Sequence, residues 1–420
     1  MEKIDTFKVR GINVANIYNQ SGMAFFGIAV LAGSNYETPE VAGVSHYGEH
    51  MYFKQTPTRN WRQINEEFAR LGISNNAYTS NTEVVYHATC PKENLDKTIT
   101  LMTDLFFNST IPADELEKER TVIVEEKKMY DDDPRSAFSL AANNHLFSWN
   151  IGHDTIGTFD TINSITRDQV VKYLNDKTNL DNFVFVCAGD INSDDLASFI
   201  IKNIPEKHEY LKQGNGLHPL DLSNVWNKSV LEDTNKIKFL MERENITQSN
   251  VSMVFNALPN GDPMFYAQSV LYTALGGGMF SKLFARIREE LGLCYRVGMT
   301  SYPLSYPYFN VSDLYGYTSP ENVDKFMLES EKILKDVMVN GLDENIFNCA
   351  KTDYLADVLR AVETSEGKAR NILKKILIYK TASIEENIAK IRNVTREDCN
   401  DLAKKVFDTQ FHWTVMNPKV

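Results

Sequence analysis

Two stretches of the chain show the same order of apolar and polar positions. In the first, the apolar run MAFFGIAVLAGS leads through a polar loop to a helical pattern around HYGEHMYFK. In the second, NVSMVFNAL leads through NGDPMFYAQSVLYTALGGG to another helical pattern. Short apolar runs between turn residues predict strands, and apolar spacings of three and four predict amphipathic helices. The repeated order therefore predicts two similar halves.

Further elements of both kinds complete the pattern. Strands are predicted at EVVYHATC, NFVFVCAGD and FHWTVMN, and amphipathic helices at LDKTITLMTDLFFN and VDKFMLESEKILKDVMV. This mixture predicts an α+β fold made of two homologous α/β halves, each with a mixed or antiparallel sheet flanked by helices.

A polar connection separates the two halves. The segment IPEKHEYLKQGNGLHPLDLSNVWNKS contains two glycines and two prolines and has little hydrophobic periodicity, which is typical of an exposed linker. A chain of 420 residues is also long enough for at least two domains. We predict an N-terminal domain at residues 1–210, a linker at 211–228 and a C-terminal domain at 229–420.

Composition narrows the class of protein. A hydrophobic content of 43% with 24% charged residues is typical of a folded globular chain. The net charge of -12 argues against nucleic acid as a partner. No signal segment and no apolar run of about 18 residues is visible, so neither secretion nor a membrane is expected. Five widely spaced cysteines predict reduced core residues in a cytoplasmic protein: Cys90, Cys187, Cys294, Cys349 and Cys399.

The segment HYGEH carries the first candidate chemistry. His46 and His50 are four residues apart, so on a helix both imidazoles lie on one face and can reach one ion. Glu49 is displaced from His46 by only about 60° around the helix, where it can contact a water bound to that ion. The alternative is two unrelated histidines on a helix that happens to carry a glutamate. H-x-x-E-H favours a metal, and a catalytic zinc requires a third protein ligand elsewhere.

The helix ADELEKERTVIVEEKKMY offers candidates for that ligand. In projection Glu119 and Glu126 lie near the centre of an apolar arc, whereas Glu125 points sideways towards solvent. An unpaired carboxylate in an apolar stripe costs several kcal/mol, so a cation or a hydrogen-bonded network is expected there. The alternative is a solvated run of charges. The arc consists of Leu116, Val122, Ile123, Met129 and Tyr130.

These residues resemble the pitrilysin/insulinase family of zinc metallopeptidases, the inverted zincins, which include the mitochondrial processing peptidases and short bacterial members. The likeness runs through AGVSHYGEHMYFK, GISNNAYTSNTEVVYHA, ERTVIVEE, VCAGDI and LGGGMFSKLFARIREELGLCYRVG. It implies one zinc per chain, bound by His46, His50 and Glu126. It also implies that Glu49 is the general base and that Glu119 is a supporting carboxylate.

The same resemblance assigns residues to the substrate. NAYTS resembles the family's edge strand, which pairs with the substrate main chain and places Asn76 and Ala77 beside the scissile bond. Phe53 is expected to contribute to substrate binding. Arg288 and Tyr295 resemble the pair from the second half that completes the site. Without the resemblance, Arg288 would be a cation in the last turn of a helix and Tyr295 a core aromatic.

Two features depart from the family's usual pattern. Tyr47 and Gly48 replace bulky apolar residues in the first motif, and glycine is expected to loosen the helix by up to about 1 kcal/mol. The chain also has half the length of the large single-chain members. It would therefore form half of a clamshell-type chamber, and we expect a homodimer or a heterodimer with a paralogue.

The expected activity is that of a metalloendopeptidase acting on peptides or unfolded polypeptide segments. Zinc and Glu49 would activate the water that attacks the peptide bond. Two alternatives remain: a specific processing peptidase with a paralogous partner, and a non-catalytic scaffold subunit. The presence of all the expected metal residues argues against the scaffold.

Overall fold

The chain forms two compact units, and each contains one sheet. The structure is a computed structural model that describes residues 4–214, 225–232, 235, 237–305, 309–379, 383–409 and 411–419. Unit 1 comprises the described residues within Met1–Tyr130, His153–Asp221 and Ala361–Ile384. Unit 2 comprises those within Asp131–Gly152, Leu222–Arg360 and Glu385–Val420.

Thirteen strands and sixteen α-helices lie in the described part of the chain. The strands are β1 (Ile4–Val9), β2 (Ile12–Tyr18), β3 (Met23–Val30), β4 (Gln55–Thr56), β5 (Arg59–Asn60), β6 (Ser74–Thr79), β7 (Val84–Pro91), β8 (Phe183–Gly189), β9 (Ile237–Arg243), β10 (Ser249–Ala257), β11 (Cys294–Ser305), β12 (Phe309–Thr318) and β13 (His412–Pro418). The helices are α1 (Val44–Met51), α2 (Trp61–Arg70), α3 (Leu95–Asn108), α4 (Ala113–Asp132), α5 (Pro134–Leu146), α6 (Trp149–Gly152), α7 (Phe159–Ser164), α8 (Arg167–Lys177), α9 (Ser193–Asn203), α10 (Lys228–Glu232), α11 (Phe265–Gly276), α12 (Val323–Asn340), α13 (Glu344–Ala361), α14 (Ser365–Tyr379), α15 (Ile384–Asn393) and α16 (Arg396–Val406).

The sheet of unit 1 has the strand order β1-β2-β8-β3-β7-β6. Strands β2 and β8 are parallel, and the other neighbours are antiparallel. Alternate residues of β3, such as Phe26 and Ile28, belong to the main core of this unit, whereas Gly27 faces α14. Both faces of the central strands are therefore covered. Among the described strands β6 pairs only with β7, so it forms an edge of this sheet.

The sheet of unit 2 repeats this topology. Its order, β9-β13-β10-β12-β11, matches β2-β8-β3-β7-β6 strand for strand, with the same parallel pair and the same antiparallel neighbours. A second core lies between this sheet and helices that include α11, α12 and α16. The prediction of two α/β halves with one plan is confirmed.

Helices α5 and α14 each pack in one unit, although the strands that precede and follow them in sequence belong to the other. Helix α14 packs on β2, β3 and β8 of unit 1, and helix α5 packs on β9 of unit 2. Residues 131–152 pack in unit 2, although unit 1 resumes at His153. Residues 361–384 pack in unit 1, although unit 2 resumes at Glu385. The domain ranges 1–210 and 229–420 stay a prediction, and most of the expected linker at 211–228 lies outside the described residues.

Several local predictions can be compared with the structure. The quoted apolar runs form β3, β7, β8, β10 and β13, and the quoted amphipathic stretches form α3 and α12. All five cysteines are free, but Cys349 is exposed and Cys294 is half-buried. The prediction of core cysteines was wrong for Cys349, because its position on α13 faces solvent. None of the helices in the described part of the chain combines the length and apolar character needed to span a bilayer.

Candidate active site

His46, His50 and Glu126 form a compact cluster within unit 1. One potential ligand atom from each residue lies within 4.8 Å of the other two. Glu126 Oε2 is 3.7 Å from His46 Nε2 and 3.4 Å from His50 Nε2, and the two imidazole centroids are 4.7 Å apart. Helix α1 supplies both histidines, and α4 supplies the glutamate. This is the grouping that the two sequence patterns predict.

The start of α1 is fixed by a buried carboxylate. Glu37 accepts hydrogen bonds from the backbone N–H groups of Gly43 and Ser45, each at 2.8 Å, and His153 Nε2 lies 3.1 Å from the same carboxylate. Gly43 has a positive φ of 92°, and a Cβ there would lie 2.4 Å from the carbonyl oxygen of Ile156. These contacts orient the helix that carries both histidines. The patterns used to find the site gave no sign of Glu37 or His153.

Both unusual residues of the HYGEH segment have packing roles. The hydroxyl of buried Tyr47 donates a 2.6 Å hydrogen bond to the carbonyl of Leu116, which joins α1 directly to α4. At Gly48 a Cβ would lie 3.0 Å from Leu174, so glycine allows α1 to pack closely on α8. The sequence predicted a loosened helix here. Close packing of α1 against both neighbouring helices gives no indication of such loosening.

Helix α4 presents a different face from the predicted apolar arc. Its buried residues are Leu116, Glu119, Ile123 and Lys127, whereas Val122, Met129 and Tyr130 are exposed. The predicted arc was therefore wrong for those three apolar residues. The choice between the adjacent glutamates agrees with the structure, since Glu126 meets the histidines and Glu125 is exposed and paired with Lys128 at 2.7 Å.

A ring of polar contacts holds the cluster in place. Glu119 Oε2 lies 2.9 Å from His50 Nδ1, and its other oxygen pairs with Lys54. Tyr130 lies close enough to Glu126 to help lower the pKa of that carboxylate. Glu119 was predicted, whereas Lys54 and Tyr130 were not. Both follow a site residue by four positions, a spacing that could have drawn attention to them.

Burial and charge set the protonation of the cluster. Burial lowers the pKa of His46 to about 4, with a further lowering from the charge of His50. Burial also lowers the pKa of His50, but hydrogen bonds to Glu119 and Glu126 outweigh it and raise the value to about 9. The hydrogen bond from His50 lowers the pKa of Glu126. One buried positive charge is therefore favoured between the carboxylates, a charge that a metal ion can replace.

The geometry and donor types fit zinc. Two imidazole nitrogens and one carboxylate oxygen form a ligand set used by catalytic zinc sites, and ligands at about 2.1 Å in a tetrahedron are roughly 3.4 Å apart. The separations of 3.4 and 3.7 Å from Glu126 to the two histidines are close to this value. Three protein donors also leave a fourth position for water or substrate. The hydrogen bond between Glu119 and His50 is of the kind that orients metal-binding histidines.

Glu49 lies beside this cluster and touches the sheet edge. Its Oε2 accepts a 2.6 Å hydrogen bond from the hydroxyl of Thr79, the last residue of β6. Burial raises the pKa of Glu49, against the lowering effects of Thr79 and His50. A carboxylate with a raised pKa is a better proton acceptor, and Oε1 is not engaged by Thr79. Thr79 was not predicted, because contact between a helix and a strand end thirty residues later leaves no local sequence signal.

The predicted substrate residues lie along or near β6. Asn76 and Ala77 pair in register with His87 and Tyr86 of β7, which confirms NAYTS as an edge strand. The Ala77 N–H donates to Asn76 Oδ1 at 2.9 Å, so a side chain satisfies this backbone group. Phe53 is half-buried against the core of unit 1. Its role in substrate binding stays a prediction.

Arg288 and Tyr295 lie together in unit 2. Arg288 is in a π-helix at Phe284–Glu290, and its guanidinium carbon is 4.6 Å from the ring centroid of Phe284 and 4.9 Å from that of Tyr295. Gly292, with a positive φ of 59°, ends this helix. Tyr295 is 77% exposed, so it is not a core aromatic. Residues 277–281 form turns that connect α11 to this helical segment.

Comparison with known proteins gives the family. The profile described as Insulinase (Peptidase family M16) matches residues 13–156, and the one described as Peptidase M16 inactive domain matches residues 164–354. Together these matches span most of the chain. The chain belongs to peptidase family M16. The histidines and glutamates of the candidate site all lie in the first match, whereas the Arg288–Tyr295 pair lies in the second.

Curated M16 relatives are similar over nearly the whole chain. An uncharacterized zinc protease of Bacillus subtilis is 29% identical over 397 residues, which cover 93% of this chain and 92% of the relative. An uncharacterized zinc protease of Rickettsia bellii is 29% identical over 408 residues, which cover 96% of this chain and 94% of the relative. Both relatives are named as zinc proteases.

Two solved structures share the fold. A protease from Helicobacter pylori superposes with a TM-score of 0.87 at 18% identity and covers 100% of both chains. The peptidase M16 inactive domain from Pseudomonas fluorescens superposes with a TM-score of 0.86 at 17% identity, covering 100% of this chain and 99% of the other. The architecture of two related M16 domains is thus shared along the entire chain.

Proposed function

We propose that this M16 protein is a zinc-dependent metalloendopeptidase that hydrolyses peptides or unfolded polypeptide segments. The observation that carries the proposal is the cluster of His46, His50 and Glu126, with Glu49 beside it at the end of a free sheet edge. The names of the curated relatives support the same activity. A non-catalytic scaffold would have no need of this set of residues.

The two histidines and Glu126 hold one zinc ion per chain. Zinc, when bound, supplies Lewis-acid polarisation of a carbonyl and acidifies water. His46 has a lowered pKa, which keeps its imidazole neutral and available as a donor at physiological pH. Glu119 accepts the Nδ1 proton of His50, which leaves His50 Nε2 as the ligand atom. Lys54 neutralises Glu119, so the outer carboxylate does not compete for the ion.

Glu49 transfers the proton that hydrolysis requires. Thr79 holds Oε2, and Oε1 accepts a proton from the attacking water. The water oxygen adds to the scissile carbonyl carbon, the C–N bond breaks, and the proton passes from Glu49 to the leaving amine. Burial raises the pKa of Glu49, which favours acceptance of the proton in the first of these steps.

Edge strand β6 binds the substrate main chain. An extended peptide adds to the free side of β6 as another strand, and its carbonyl replaces Asn76 Oδ1 as the acceptor for the Ala77 N–H. Backbone pairing of this kind gives affinity with modest demands on side chains. Phe53 contributes an apolar contact. Arg288 and Tyr295 orient substrate carbonyls in an assembly that is a homodimer or a heterodimer with a paralogue.

Substitution of the base tests the proposal. Glu49→Gln is expected to retain zinc and to lose nearly all hydrolysis, because the amide cannot accept the proton. The matched control is Glu125→Gln, which changes an exposed glutamate on α4. The measurements are zinc per chain and the cleavage of a mixed peptide pool with and without a chelator. Retained turnover in Glu49→Gln would exclude the assigned base.

The same peptide pool distinguishes the alternatives. Broad cleavage by the chain alone supports a general endopeptidase. Cleavage confined to a few presequence-like peptides, or dependent on an added paralogue, supports the processing peptidase. Zinc-loaded protein that cleaves no peptide under either condition would support a scaffold and contradict the proposal.

A further inference from the structure

Unit 2 contains a polar cavity on the sheet face that α5 covers. The cavity has a volume of about 260 Å³ and lies between α5 and strands β10, β11 and β12. The corresponding helix of unit 1, α14, packs directly on its sheet, since a Cβ at Gly27 would lie 3.5 Å from a Leu373 methyl group. At roughly 30 Å³ per water molecule, the cavity has room for about nine water molecules. This volume is large enough for an amino acid or a dipeptide.

Two arginines line this cavity, and each stacks on a tyrosine. The guanidinium carbon of Arg135 on α5 is 5.0 Å from the ring centroid of Tyr317, and that of Arg296 on β11 is 5.6 Å from the centroid of Tyr315. Neither arginine forms a close ion pair within the part of the chain that the structure describes, although the charge of Arg135 acts on the nearby Asp133. Stacking on the tyrosines holds each guanidinium while leaving its N–H groups available. A guanidinium with available N–H groups binds carboxylates well.

A carboxylate from the middle of β12 lines the same cavity. Asp313 Oδ1 accepts a 2.6 Å hydrogen bond from the hydroxyl of Ser252 on the adjacent strand β10. Burial raises the pKa of Asp313 to about 6, so the group is largely ionised at neutral pH. Arg135 stacks on Tyr317, and Arg296 pairs with Tyr317 across the strands. Asp313 lies four residues before Tyr317, on the same face of β12.

The combination of charges selects the ligand. The arginines would attract a simple anion, but Asp313 would repel it. Asp313 would attract a simple cation, but the arginines would repel it. We propose that this cavity binds a small zwitterion, a free α-amino acid or a dipeptide, with its carboxylate on Arg135 and Arg296 and its ammonium group on Asp313. The site belongs to unit 2 and is independent of the metal cluster and of the proposed peptidase activity.

Binding of the dipeptide Ala-Ala to the full chain tests the proposal. Ligand-observed NMR measures the dissociation constant and also shows that the dipeptide stays intact. Saturable binding is expected, and N-acetyl-Ala-Ala and Ala-Ala amide should each bind at least 10-fold more weakly because each lacks one charge. Inorganic phosphate, the simple anion, should not compete. Equal binding of the acetylated dipeptide, or no saturable binding of Ala-Ala, would overturn the proposal.

Variants place the ligand in this cavity. Arg135→Gln/Arg296→Gln and Asp313→Asn are each expected to weaken Ala-Ala binding at least 10-fold, and the conservative Arg296→Lys should bind better than Arg296→Gln. The matched control is Arg62→Gln, because Arg62 also stacks on an aromatic ring, that of exposed Trp61 in unit 1. Binding there should change less than twofold. Undiminished binding by the double arginine variant would locate the dipeptide elsewhere and refute the assignment.

Discussion

Thr79→Val removes the hydrogen bond that positions Glu49 and leaves the three proposed zinc ligands unchanged. The bond is 2.6 Å long and joins a hydroxyl to a carboxylate. Hydrogen bonds to charged groups contribute about 1.5–3 kcal/mol. If the bond holds Glu49 in its reactive position, its loss raises the activation barrier by a similar amount. We therefore expect turnover to fall about 10- to 100-fold.

The assay compares kcat, KM and zinc per chain for the parent, Thr79→Val and Thr79→Ser. Serine keeps the hydroxyl and should recover most of the turnover, whereas valine keeps the shape of threonine without the hydroxyl. Zinc content should stay constant in all three, because Thr79 contacts the base and not a ligand. Unchanged kcat in Thr79→Val, or a loss of zinc that parallels the loss of activity, would refute the positioning role.

Three further predictions follow from other contacts. Glu126→Gln should lower zinc content while Glu125→Gln should not, and equal loss in both would contradict the ligand assignment. Tyr295→Phe should reduce turnover with little change in zinc content, since the residue is proposed to act on substrate; unchanged kcat would argue against that role. Burial raises the pKa of Asp313 from 3.8 to about 6, so the folded state binds the proton more tightly and this group destabilises it as pH rises from about 4 to 6. Asp313→Asn should abolish this pH-dependent loss of stability, which amounts to at most about 3 kcal/mol in the free energy of unfolding measured with denaturant. A difference in stability between variant and parent that does not change with pH would contradict the prediction.

The residues that sequence patterns located share one property, which is periodic spacing within a single helix. His46, Glu49 and His50 lie within two turns of α1, and the choice of Glu126 over Glu125 depended on the direction of one helix. The same reasoning was wrong for the exposed apolar residues of α4. Charged residues occupy part of its buried face, because Glu119 pairs with Lys54 and Lys127 with Asp154. A sequence does not show which charges have partners.

Contacts between distant segments account for what sequence patterns missed. Glu37 holds the start of α1 together with His153, more than a hundred residues later, and Thr79 reaches Glu49 from the end of a strand. Each depends on how the chain folds back on itself, which local periodicity does not encode. The repeat of strand order was visible because its elements are local. The exchange of α5 and α14 was not, because either helix could cover either sheet.

The two exchanged helices, α5 and α14, occupy equivalent positions in the two repeats. Helix α5 falls between the fourth and fifth shared strands of the first repeat, β7 and β8, and α14 falls between the equivalent strands β12 and β13 of the second. Two identical chains that traded this helix would form a domain-swapped dimer, and joining them end to end would give the present connectivity. A fragment cut at the linker would keep the helix that covers the other unit's sheet and would lack the helix that covers its own. We therefore expect each half, when isolated, to self-associate.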